Sequence, residues 1–167
     1  MKRTIGLVIV LAVALGGVAA VGSAGASSHG DDDVLSSALF GSRPHDPVTD
    51  TGGPILFDVQ PGGVPWTIGE SDVDARRDGR LRVRFEGLLI VDTRTGLDGT
   101  VGGVHTVSAS LYCNGESVGE TAAVPLSAGG DAEIRDTIRD APDPCLGPTV
   151  LVHPNGADGV YIAATGA

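Results

Sequence analysis

Residues 71–85 read "SDVDARRDGRLRVRF", and this stretch constrains the fold more than any other. Apolar and charged side chains alternate with a period of two, the pattern of a strand with one buried face. Taking Arg77-Asp78-Gly79 as a three-residue loop, with Gly79 left-handed, places Ala75 opposite Leu81 and Val73 opposite Val83. On the other face Asp74 meets Arg82 and Asp72 meets Arg84. A slip of one residue would break both sets of pairs, so one antiparallel register is specified. The arginines at 80, 82 and 84 therefore read as cross-strand ion pairs on a solvated face, not as an anion site. The acids of "ESDVDARRDG" do not form a calcium loop, because Arg76 and Arg77 interrupt the ligand spacing.

The same pattern continues along the chain. "VHTVSASLYC" puts Val107, Ala109, Leu111 and Cys113 on one face, which leaves Tyr112 on the opposite, exposed side. "ILFDV", "WTIGESDVDA" with a bulge at Gly69, "TAAVPL", "DAEIRDTI", "TVLVH" and "VYIAA" read as further strands. Asp78-Gly79, Asn114-Gly115, Gly129-Gly130, Asn155-Gly156 and Asp158-Gly159 supply turns between them. Seven to eight short strands at this spacing predict an all-β fold, an antiparallel Greek-key sandwich of immunoglobulin-like type.

The chain opens with Lys2 and Arg3, an apolar run from Ile5 to Val21 and a small-x-small site at Ala24-Gly25-Ala26. This is the pattern of a secretory signal peptide over residues 1–26. A retained membrane anchor is the weaker reading, because the run is glycine-rich and short for a span. Residues 27–53 are rich in Ser, Asp, Gly and Pro and read as a mobile polar tail. Within them only "VLSSALF" suggests a turn or two of helix, with Asp33 as its N-cap. Residues 54–167 then form one sandwich domain, with a mature chain long enough to bury roughly two thirds of its unfolded surface.

Cleavage after Ala26 removes Lys2 and Arg3 from the 11 basic residues and leaves all 21 acids, a net charge of −12. Such a chain repels nucleic acid and anionic membranes. The two cysteines, Cys113 and Cys145, lie on the core side of a strand end and in the proline-flanked "PDPCLGP". A metal or nucleophilic thiol would need more ligands or a reducing compartment. In an exported chain the pair reads as a disulfide.

Three patterns could carry chemistry. "GESVG", residues 115–119, matches the nucleophile-elbow spacing around Ser117, with His153 downstream as a partner. That elbow needs a strand–turn–helix setting, whereas a hairpin signal precedes it here and a strand follows. His105, placed on the face of Val107 and Leu111, and His153, ending "TVLVH", could meet in space, as in copper-binding sandwiches, although neither has a metal-like spacing. After cleavage at Ala26 the N-terminus would read Ser27-Ser28-His29. Its amine, two backbone nitrogens and imidazole suit the square plane of Cu(II) or Ni(II). The few aromatics argue against a sugar-stacking surface.

The blocks "DGRLRVRFEGLLI", "HTVSASLYCNG", "AAVPLSAGGDAEIRDTI", "PCLGPTVLVHPNG" and "YIAATG" resemble those of a family of small uncharacterised secreted actinobacterial proteins. The resemblance covers about residues 64–166 and both cysteines. It implies secretion and one β-rich domain, and brings no activity with it. The strand rhythm and "VHPNG" are more loosely similar to CHRD domains, which resemble the copper–zinc superoxide dismutase sandwich. The paired His-x-His ligands that metal binding in that fold requires are missing. The expectation is a secreted, non-catalytic sandwich with no cofactor, serving as an extracellular binding or structural module for a protein or glycan. The alternatives are a metal-binding protein and a hydrolase acting through Ser117.

Overall fold

The computed structural model describes residues 32–46, 48–49 and 51–166. Ser27, Ser28 and His29 and the signal-like segment 1–26 lie outside them, as does the start of the 27–53 segment. The first strands are β1 (Asp33–Ser37), β2 (Leu39–Gly41), β3 (His45–Asp46) and β4 (Thr51–Gly52). Then come β5 (Gln60–Pro61), β6 (Trp66–Thr67), β7 (Ser71–Arg76), β8 (Arg80–Phe85) and β9 (Leu89–Ile90). The C-terminal part carries β10 (Thr106–Cys113), β11 (Glu116–Glu120), β12 (Val124–Pro125) and β13 (Ala132–Thr137). It ends with β14 (Thr149–Pro154), β15 (Val160–Tyr161) and β16 (Ala163–Thr165). There is no helix among the described residues, so none is long and apolar enough to cross a membrane.

Two antiparallel sheets form a β-sandwich. The first has the order β1-β7-β8-β13; the second runs β11-β10-β14-β16-β2, with β12 also paired to β10. β13 returns to lie beside β8 after the chain has passed through the second sheet, a Greek-key crossing. Val73, Val83, Phe85 and Ile134 of the first sheet meet Val107, Ala109, Leu111, Cys113, Val150 and Val152 of the second in one core. Period-two patterning dictates those positions, because each inward side chain is followed by an outward one.

The β7–β8 hairpin has the predicted register, Ala75 with Leu81, Val73 with Val83, Asp74 with Arg82 and Asp72 with Arg84. Gly79 adopts φ +83°, and a side chain there would strike the Ile138 carbonyl. The ion pairs differ from those expected. Arg82 turns away from Asp74 to Glu133 on β13 at 2.9 Å, Arg84 binds Glu86 at 2.6 Å, and Arg80 binds Asp78 at 2.6 Å. A long arginine reaches whichever neighbouring carboxylate gives the better fork geometry, and β13 supplies one that the hairpin pattern does not reveal.

Residues 33–41 correct the sequence reading. They are neither helix nor tail: β1 pairs along β7 in the first sheet, and β2 pairs with β16 in the second. Leu39 is buried in the core, and Ser71 Oγ accepts from the Leu39 N–H at 2.9 Å. Among the described residues the sandwich sheets consequently hold ten strands rather than seven or eight. "ILFDV" is likewise no strand. Leu56 and Val59 bridge across a turn in which Phe57 and Asp58 have φ of +52° and +65°.

The hydrogen-bonded carboxylates make a pH prediction. Asp46, held by the Val48 and Thr49 N–H groups, lies below its ordinary range, as does Asp78, held by Arg80. Asp92 is lowered by Arg94, Glu133 by Arg135 and Arg82, and Asp136 by the Ala122 and Thr137 N–H groups. A carboxylate depressed in the fold stabilises it above the unfolded value of about 4, and that stabilisation is lost as pH falls through the depressed value. Thermal melts should show a Tm that is level from neutrality to about pH 5 and drops progressively between about pH 4 and pH 2. A Tm unchanged at pH 2 would refute this account.

Candidate functional site

β14 is buried on both faces. Val150 and Val152 point into the sandwich, and Leu151 points outward into a second apolar cluster with Val59, Tyr112, Tyr161 and Ala164. Leu56 and Phe57 pack onto that cluster, so the segment around them covers the outer face of the second sheet. Phe57 stacks on Tyr112, with ring centroids 4.4 Å apart and planes 11° from parallel. This contact explains why a bulky residue holds a left-handed backbone that strains it. It also corrects the expected exposure of Tyr112, which is buried. Burial raises the Tyr112 phenol above its ordinary value, with the negative charges of Asp158 and Glu120 adding to the effect.

The cover stops short of the β2 edge and leaves a cleft of about 300 Å³. Phe40 and Ser42 line it from the β2 side, Ala164 and Gly166 from β16, and Pro54 and Leu56 from the cover. Phe40 is 62% exposed. Its ring lies against Gly166, where a methyl group would sit 2.8 Å from a ring carbon. Gly52 and Gly53 form another wall: a side chain on either would strike the carbonyl of Pro44 or Arg43, so the chain closes tightly there only because both are glycine. Tyr161 ties the cover down by donating its hydroxyl hydrogen bond to the Pro54 carbonyl. Burial pushes that phenol upward, which preserves it as a donor.

The polar inventory of the cleft is short. Ser42 is buried, and its hydroxyl has no hydrogen-bond partner among the described residues. Arg43 lines the cleft and forms no ion pair among the described residues. Among the described residues no acidic side chain lines it. The contrast is with the depression over the outer face of the first sheet, where Asp74, Asp136, Arg76, Arg80, Arg82 and Arg135 occur together. There the arginines are largely engaged: Arg82 and Arg135 both hold Glu133, and Arg76 holds Asp74.

The side chains singled out in the sequence lie elsewhere and do not converge. Cys113 and Cys145 form a disulfide. Ser117 is exposed on β11, after a two-residue turn in which Asn114 and Gly115 have φ of +57° and +83°. It sits in a hairpin strand instead of at a strand–helix elbow. His105 is exposed before β10 rather than on the core face, because Asn155 Oδ1 captures the His105 and Thr106 N–H groups and ends the strand there. His153 is fully buried on β14. Its Nδ1–H donates to the Val160 carbonyl at 2.8 Å, and Nε2 has no partner among the described residues. Among the described residues no three His, Cys, Asp or Glu side chains are grouped to hold a metal.

The chain matches no family model, no curated protein and no solved structure. The cleft therefore has to be read from its own chemistry. Sequence reasoning missed it because its walls come from residues 40–43, 52–56 and 161–166, far apart along the chain. The local signals that could have pointed there were Arg43 within an acidic segment and the pair Gly52-Gly53.

Proposed function

We propose that this chain is an exported, non-catalytic β-sandwich module that binds a small, mostly apolar ligand in the cleft beside Phe40. The observation that carries this reading is the exposed aromatic ring of Phe40 at the edge of a concave, largely apolar surface. Ligand sites are concave and mainly apolar, with a few polar groups that fix orientation, and about 300 Å³ is at the small end of their range. Export is supported by the signal-like segment 1–26 and by a disulfide, which persists in oxidising compartments. The placement of Ser117 in an exposed hairpin favours binding over hydrolysis. The resemblance to small secreted actinobacterial proteins is compatible with such a role.

The test is titration of the mature protein with N-phenyl-1-naphthylamine, a neutral apolar probe that brightens on leaving water. Saturable binding near one equivalent is expected. Phe40→Ala should weaken it about tenfold, as removal of a stacking aromatic at a small site does. Trp66 gives a second readout. It is the one tryptophan in the chain, and its backbone N–H donates to the Ser42 carbonyl at 2.8 Å. Its fluorescence should change with the same saturation curve. Absence of saturable binding, or equal binding by Phe40→Ala, would sink the proposal.

A further inference from the structure

We infer that the outer edge of β13 is an interface between two copies of this chain, which pair there antiparallel and join their four-stranded sheets into one. The interface belongs to the first sheet and is independent of the cleft, which lies on the second. The state of the sheet edges comes first. Among the described residues the two sandwich sheets end at β1, β13, β11 and β2. The β1–β7 pairing is irregular between Asp33 and Leu35, the β10–β11 pairing shifts register between Leu111 and Tyr112, and β2 has three residues. Bulges and short lengths are the usual means by which a sheet edge is kept from pairing with another chain. β13 has neither. It runs six residues, Ala132–Thr137, in unbroken register with β8. Its backbone groups are also available. Hydrogen bonding alternates along an antiparallel pair. The Ile138 N–H donates to the Gly79 carbonyl at 2.8 Å, and stepping back by two along the register turns Asp136 and Ile134 toward β8. Glu133, Arg135 and Thr137 therefore point their backbone groups outward. The Thr137 N–H is taken by the Asp136 carboxylate at 2.7 Å. The outward N–H and C=O groups of Glu133 and Arg135 have no partner among the described residues.

Charge selects the occupant. Glu133 and Arg135 are exposed and lie on the same outer face, two positions apart. A two-fold axis at Ile134 sets Glu133 of each copy opposite Arg135 of the other. Those are the positions with outward backbone groups, so each N–H also finds a carbonyl across the axis. A register centred on Glu133 or on Arg135 would satisfy backbone groups too, but it would set like charges opposite each other, which is unfavourable. One register is thus singled out by the side chains. Arg135 now folds back on its own Glu133 at 2.7 Å, and a second copy offers the same carboxylate across the pair. Edge charges ordinarily guard a strand against other chains. Here the alternation of sign makes the edge complementary to itself. Ile134 is already buried in the core, so the contact rests on backbone bonds and charge pairs and has little apolar area to bury. Such a dimer is small and reversible.

Analytical ultracentrifugation of a chain starting at Ser27, from about 10 µM to about 1 mM, should show the average mass rising toward twice the monomer's, in the range where small interfaces associate. Arg135→Glu and Glu133→Arg should each weaken association at least about tenfold, because each turns two symmetry-related attractions into repulsions. Mixed in equal amounts, the two variants should associate as the wild type does, since every arginine then meets a glutamate. Arg135→Pro should stay monomeric, because it removes an outward N–H and no bond to β8, and edge strands tolerate proline. Melting curves establish that each variant is folded. A wild type that is monomeric at the highest concentration would overturn the proposal. So would single reversals that associate like the wild type, or a mixture of them that does not associate. Hydrogen exchange on the wild type tests the edge without any substitution. The Glu133 and Arg135 amides should exchange more slowly as protein concentration rises, while the Ile134 amide, turned toward Val83, is slow throughout. If the mass rises and those two amides keep one rate, the copies meet elsewhere and the assignment to β13 is wrong.

Discussion

A chain shortened to begin at Arg43 is expected to lose its cooperative unfolding transition. A chain starting at Ser27 should keep it. The segment removed contains β1 and β2, one strand for each sheet. Without β1, the β7 edge loses the partners it has from Asp33 to Ser37, and the Arg77 N–H loses the Asp32 carbonyl it reaches at 2.8 Å. Without β2, β16 becomes an open edge and Ser71 Oγ loses its backbone partner. Leu39, 2% exposed, leaves a hole in the core. The loss of Leu39 alone is worth about 2–5 kcal/mol, as for any buried leucine truncated to alanine. Two strands of ladder bonds are lost as well. The total reaches the low end of a whole domain's stability, about 5 kcal/mol, so little folded population should remain. Urea denaturation followed by circular dichroism checks this. Leu39→Ala in the full chain should shift the urea midpoint downward without abolishing the transition. A truncated chain that unfolds at the full-length midpoint would restore the reading of this segment as a tail.

That contrast marks where the sequence was legible. The 71–85 hairpin could be read residue by residue because it is local: apolar meets apolar and acid meets base across one turn, and every pair agrees on one register. The inner face of β10 was legible for the same reason, as Val107, Ala109, Leu111 and Cys113 alternate and all enter the core. β1 and β2 carry no such signal. Each is short and lies at a sheet edge, and "VLSSALF" commits only Leu39 fully to the core. What makes those residues strands is pairing with β7 and β16, the latter more than a hundred positions away. Tyr112 was misplaced through the same non-locality. Alternation correctly put it opposite Cys113, but Phe57 comes from far upstream to cover it. Period-two patterning says which face a side chain takes; it does not say whether a third layer covers that face. The cleft is the extreme case, since three distant segments frame it and none bears a motif.

Replacing both cysteines, Cys113→Ala with Cys145→Ala, should cost about 3.5 kcal/mol, the chain-entropy value for closing a loop whose ends are 32 positions apart. The geometry around the bridge explains why the effect should come as destabilisation of one folded state and not as a different fold. The linked segment is also attached by other means. The Asn114 N–H donates to the Leu146 carbonyl at 2.7 Å, and Asn114 Oδ1 accepts from the Leu146 N–H at 3.1 Å. Arg77 reaches Asp143 at 3.1 Å, tying the same segment to the β7–β8 turn. These contacts, together with the β10–β14 pairing that the segment connects, retain the native arrangement once the chain has folded. The bridge acts mainly on the unfolded chain, by shrinking its freedom. The variant should therefore unfold at a lower urea concentration with a slightly larger denaturant slope, because its unfolded state is more extended. The cleft lies across the second sheet from Cys113, beside β2 and β16, while Cys113 ends β10. Probe affinity at low temperature should then match the wild type, although the thermal midpoint is lower. A variant that loses both stability and probe binding in the absence of denaturant would show that the bridge holds the native state itself in shape.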